Sequence, residues 1–121
     1  VGTLLQDLID EEAGAFQKIN SKWRPQNLFY ELQTKELIRD MVRRYRRLKE
    51  GERELQKLDR ADLLLQHVRR MGLIIKRAYF VRRANHLAFC QAVSEFYTAY
   101  GEILRYLKID EARGKLEPAL G

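Results

Sequence analysis

"IIKRAYFVRRANHLAFC", residues 74–90, is apolar enough for a protein core yet carries Lys76, Arg77, Arg82 and Arg83. Turning about 100° per residue from Ile75, Leu64, Val68, Met71, Ala78, Tyr79 and Phe89 gather on one face. Leu73, Phe80 and Leu87 point to nearly the opposite side, and Ile74, Val81 and Ala88 to a third. A helix that is apolar around most of its circumference is normally central. The spacing therefore predicts a third helix from about Leu63 toward Phe89, the long central member of an all-α four-helix bundle. On such a helix Lys76, Arg77 and Arg83 occupy the polar gaps between faces. Arg82 falls near the middle of the main apolar face with His86 beside it. A charge buried there needs a partner, which Asp10, Glu11, Glu12 or another subunit would supply.

Working outward, "TLLQDLIDEEAGAF" (residues 3–16) sets Leu4, Leu5, Leu8 and Ile9 on one stripe that Phe16 and Ile19 extend, with Thr3 as a cap. Pro25 and the turn formers Asn20, Ser21 and Asn27 end this first helix near "NSKWRPQN". From Leu28, the residues Phe29, Leu32, Leu37, Ile38, Met41, Val42, Tyr45 and Leu48 recur at three and four, giving a second amphipathic helix. "KEGERELQKLDRAD" (residues 49–62) is the connection to the third helix, which Asp62 would cap. A fourth helix follows through "AVSEFYTAYGEILRYLK", with Val93, Phe96, Tyr97, Tyr100, Leu104 and Leu107 inward and Gly101 a local weak point. Residues 1–108 thus read as one helical bundle and residues 109–121 as a flexible tail.

The bulk properties agree with that architecture. A chain of 121 residues with 45% hydrophobic and 33% charged side chains and only two prolines suits a single packed domain rather than disorder. Cys90 is the sole cysteine, so the expectation is a buried, inert thiol in a reducing compartment. No apolar run reaches the roughly 20 residues that span a bilayer, and the first residues lack the features of a secretory signal, so a soluble intracellular chain without membrane contact is expected.

Charge is concentrated. Residues 43–84 carry a net +9 in a chain whose total is +6. Arg43, Arg44, Arg46 and Arg47 on the second helix are therefore the candidate phosphate contacts of a nonspecific, salt-sensitive interaction with DNA. Tyr45 between them belongs to the inward apolar stripe, no aromatic residue interleaves exposed arginines at base-stacking spacing, and no helix-turn-helix pattern occurs. Catalytic chemistry has little to stand on. His67 and His86 lack the flanking residues of a metal motif, and no glycine-rich phosphate loop or GxSxG elbow is found, so no catalytic, cofactor or metal site is expected. The aromatic run "EFYTAY" with Tyr106 suits core or a protein interface, where tyrosine keeps one end wet.

The order of these features resembles the α-helical domain of GINS subunits, proteins of the DNA replication fork, over roughly residues 3–107. The resemblance rests on "KWRPQNL", the charged connection, and a Tyr-x-x-x-Arg-x-x-Lys-Ile-like pattern matched by Tyr79, Arg83, His86 and Leu87, with His for Lys and Leu for Ile as departures. Residues 109–121 are too few for the small β-rich domain that GINS subunits also carry, so the likeness is to the helical domain alone. It implies a non-catalytic subunit of a hetero-oligomer that contacts sister subunits and braces the MCM helicase and a Cdc45-like partner. The implied location is the nucleus, or the nucleoid or cytoplasm of an archaeon. On that view Leu73, Phe80, Leu87, Tyr97, Tyr100, Tyr106 and Leu107 are the partner interface. The alternatives are a free-standing basic helical protein that binds nucleic acid and a helical adaptor of another pathway.

Overall fold

The computed structural model describes Asp7, Leu8 and residues 34–112, and among them every regular element is helical. The elements are α1 (Thr34–Glu50), the single turn α2 (Glu52–Leu55), α3 (Ala61–Val81) and α4 (His86–Ala112). The all-α expectation is met. Of the expected first helix only Asp7 and Leu8 are described. Both are helical, and Leu8 lies in the core. The "KWRPQNL" segment and Leu28, Phe29 and Leu32 lie outside the described residues.

Helix α1 follows its apolar period. Leu37, Met41 and Leu48 are buried while Ile38, Val42 and Tyr45 are half-buried beside them. Glu36 in the first turn and Arg47 and Lys49 in the last complement the helix dipole. The helix closes at Gly51, whose N–H donates to the Arg47 carbonyl at 3.1 Å. Within the expected connection lies α2, too short to show a period, anchored by buried Leu55 and followed by buried Leu58. The chain then turns at Arg60, which adopts a left-handed conformation with φ of 60°. The cap of α3 is thus Arg60 and not Asp62, which sits in the first turn where the dipole favours a carboxylate. The Tyr106 hydroxyl of α4 donates to the Asp59 carbonyl and ties this turn to the last helix.

The third helix ends earlier than its hydrophobicity suggests. It stops at Val81, whose carbonyl accepts from the N–H groups of Ala84 at 3.1 Å and Asn85 at 2.9 Å. Asn85 then opens α4, its Oδ1 accepting from the Ala88 N–H at 3.0 Å, the bond of an N-cap. The stretch 74–90 is therefore the corner of a helical hairpin, and the faces assigned to Leu87, Ala88 and Phe89 by continuous rotation belong to a different helix. Among the described residues the longest helix is α4 with 27 residues, against 21 for α3. It runs to Ala112, so residues 109–112, expected in a flexible tail, are helical; residues 113–121 lie outside the described residues.

Helix α3 packs against both α1 and α4. Its buried residues Leu64, Val68, Met71, Ile74 and Ala78 step by four, three, three and four along one face. They share a core with Phe89, Val93, Phe96, Tyr100 and Ile103 of α4, with Leu37 and Met41 of α1, and with Leu8. Gly101 is buried in α4 without interrupting it.

Candidate interaction surface

Helices α1 and α3 leave an open trough between them. Near its middle it is lined by Val42 and Tyr45 of α1 and by Gly72, Leu73 and Ile75 of α3. Toward the end of α3 it is lined by Ile38 of α1 and Tyr79 of α3. Gly72 makes the close crossing possible. A Cβ at that position would stand 2.8 Å from the Tyr45 hydroxyl, so a larger residue would push the tyrosine out of place. The rim is cationic. Arg46, Arg69 and Lys76 border the middle, Lys35, Arg39, Arg82 and Arg83 border the end, and among the described residues no carboxylate joins either group. On the outer bank of α1, Glu50 lies beside Arg43, Arg46 and Arg47.

Beside the trough, Leu73 and Phe80 stand seven residues apart on one line of α3 and are 66% and 85% exposed. Leu87, at the start of α4, is 68% exposed, and Tyr79 is also open to solvent. Large apolar side chains concentrated on one helix and the adjoining corner mark a surface that gains from being covered.

The other expected interface residues are placed differently. Tyr97, Tyr100 and Leu107 are buried in the chain's own core and cannot form a partner surface; Tyr106 is half-buried and held by its bond to Asp59. Phe96 meets Tyr97 edge-on at 5.3 Å and lies parallel to Tyr100 at 6.3 Å between ring centres. The apolar circumference of α4 is thus covered mainly from within.

A polar cluster that the sequence reasoning passed over joins α1 to α4. Asp40 accepts from Arg43 at 2.8 Å and Arg44 at 2.7 Å, and from the Tyr97 hydroxyl. Arg44 is buried with its guanidinium 5.9 Å from the Tyr97 ring centre and 5.3 Å from that of Tyr100. Burial pushes the Asp40 carboxyl upward, but the Tyr97 hydrogen bond, the Arg44 charge and the bonds from Arg43 and Arg44 outweigh it and hold the pKa below its ordinary 3.8. Burial, reinforced by the Asp40 charge and hydrogen bond, raises the Tyr97 phenol above its ordinary 10.0. The spacing Asp40, Arg43, Arg44, at three and four residues, was the available signal.

This cluster reorders the four arginines expected to meet phosphate. Arg44 is withdrawn into the core, Arg43 is exposed but held by Asp40, Arg46 is exposed on the trough, and Arg47 is half-buried. No family model, curated protein or solved structure matches the chain.

The cations of the hairpin corner divide as well. Arg77 pairs with Glu95 across α3 and α4. Arg82, expected to need a carboxylate, instead lies 3.7 Å from the Tyr79 ring centre and donates to the Tyr79 carbonyl, which satisfies it locally. Tyr79, Arg83, His86 and Leu87, the matched pattern, straddle the turn and are all exposed. Cys90 is buried, and desolvation raises its thiol pKa, as an inert thiol requires. Among the described residues no helix is long and apolar enough to cross a membrane.

Proposed function

We propose that the chain is a non-catalytic scaffolding subunit that works by presenting the outer face of α3 to other proteins, within a GINS-like replication-fork complex of the nucleus or an archaeal cell. In that role it joins sister subunits and bridges the MCM helicase and a Cdc45-like partner. The observation that carries the scaffold role is the exposure of Leu73, Phe80 and Leu87, which the chain's own helices leave uncovered. The fork assignment draws on the sequence resemblance at "KWRPQNL" and at Tyr79, Arg83, His86 and Leu87. Enclosure of Tyr97 and Tyr100 narrows the surface from two helices to one face and its corner.

Affinity purification of the full chain from its native cell extract tests this proposal. The wild type should bring down sister subunits and helicase components in fixed ratio, and Leu73→Glu/Phe80→Glu should lose them, since a charge forced into an apolar contact is costly. Recovery of an unrelated set of proteins would place the chain as an adaptor of another pathway. Recovery of none would overturn the scaffold role.

The free-standing nucleic-acid-binding reading retains one favourable observation, the cationic rim of α1 and α3. Under it, Arg43→Gln/Arg46→Gln/Arg47→Gln would abolish DNA retention and flatten its salt dependence. Under the scaffold proposal those changes leave co-purification of the partners intact.

A further inference from the structure

The trough between α1 and α3 differs from the exposed row beside it in having both a shape and a sign. Its floor is formed by half-buried Ile38, Val42 and Ile75, of which Ile38 and Ile75 pack against the core. Among the described residues its rim carries seven cations and no carboxylate. Arg46, Arg69 and Lys76, the three at the middle, are exposed and form no ion pair among the described residues. The bank from Thr34 to Arg46 spans roughly 18 Å at the rise of an α-helix, room for about three helical turns.

We infer that this trough is the docking site of an acidic amphipathic helix from another protein. The inference rests on the scaffold proposal and names the chemistry of its partner. A third helix laid along α1 and α3 buries an apolar stripe on the Val42 and Ile75 floor, as amphipathic helices do in grooves. Carboxylates at the edges of that stripe then meet Arg46, Arg69 and Lys76, the charge complement that sets partner and register. A nucleic acid fits the floor poorly, because phosphates and sugars gain nothing from an apolar bed. A second copy of the chain fits the charge poorly, because the same cationic rim would face itself.

The test uses the full chain and a labelled synthetic helix about four turns long, with leucines along one side and glutamates elsewhere, followed by fluorescence anisotropy. The wild type should bind it, and Arg46→Glu/Lys76→Glu, two exposed changes, should weaken binding about tenfold or more. The same helix with lysines for glutamates should show the opposite preference, binding the variant and not the wild type. A glutamate helix with serines for leucines should not bind, and circular dichroism should show the variant folded. No binding of the leucine–glutamate helix, or binding insensitive to the charge reversal, overturns the inference. So does duplex DNA that competes for Arg46 and Lys76, or self-association in sedimentation that the same substitutions abolish. Fork proteins recovered from extract without peptide binding would sink this inference alone; peptide binding without fork proteins would sink the fork assignment and leave the trough.

Discussion

Replacing Phe96 with alanine should lower the free energy of unfolding by about 3–5 kcal/mol, the usual cost of emptying a buried phenylalanine site. The ring is fully enclosed and contacts both Tyr97 and Tyr100. Its removal strips an aromatic contact worth about 1 kcal/mol beyond area and leaves a cavity where α4 meets the rest of the core. Phe80→Ala provides the internal control. The same residue type on α3 is 85% exposed, so its truncation should change stability by less than about 0.5 kcal/mol. Urea unfolding followed by circular dichroism separates the two, and equal losses would mean that the inner and outer faces have been assigned wrongly.

The second large effect lies in the polar cluster. Asp40→Ala should destabilise the chain by about 1.5–3 kcal/mol, because it takes a charged hydrogen-bond acceptor away from a buried guanidinium. Arg44 is the buried partner, and the Tyr97 hydroxyl loses the Asp40 acceptor in the same change. Asp40→Leu/Arg44→Met/Tyr97→Phe, which replaces these three polar groups with apolar ones, should recover part of the loss.

The pH dependence follows from the same contacts. The folded carboxyl titrates below its unfolded value of 3.8, so its contribution is fully present above that value and disappears as pH falls through the folded pKa. The raised phenol of Tyr97 acts at the other end. Its contribution is present below 10.0 and is lost as pH climbs beyond it. Denaturant midpoints measured against pH should therefore fall below about pH 4 and above about pH 10 in the wild type. Asp40→Asn should flatten the acid limb; an unchanged acid limb would remove Asp40 from the explanation.

Much of this fold was legible in the sequence where a single face repeats. Leu37, Met41 and Leu48 of α1 are buried as their spacing requires, and so are Leu64, Val68, Met71 and Ala78 of α3, although the buried face is centred nearer Ile74 than Ile75 and leaves Tyr79 exposed. Periodicity failed where apolar residues occupy every face. The break at residues 82–85 carries no glycine or proline, and the apolar run continues straight through it, so only Asn85 with its capping bond marks the new helix. One turn of helix, as in α2, is too short for any period to show.

The candidate site divides along the same line. Sequence spacing identified which residues are apolar, and Leu73, Phe80 and Leu87 do lie outside. It had no means of telling that Tyr97, Tyr100 and Leu107 lie within the chain's own core, because that depends on how many neighbours surround α4 in space. Nor could it separate Arg44 from Arg43 and Arg46, adjacent in sequence yet pointing to core, ion pair and trough.

The central claim is that the outer face of α3 and the trough beside it are covered by protein when the chain is at work. Hydroxyl-radical footprinting of the chain within its native assembly, compared with the isolated chain, addresses that claim side chain by side chain. Protection of Leu73, Phe80 and Tyr45 on assembly, with Tyr100 unreactive in both states, is the expected result. Leu73 and Phe80 as reactive in the assembly as in isolation would contradict it.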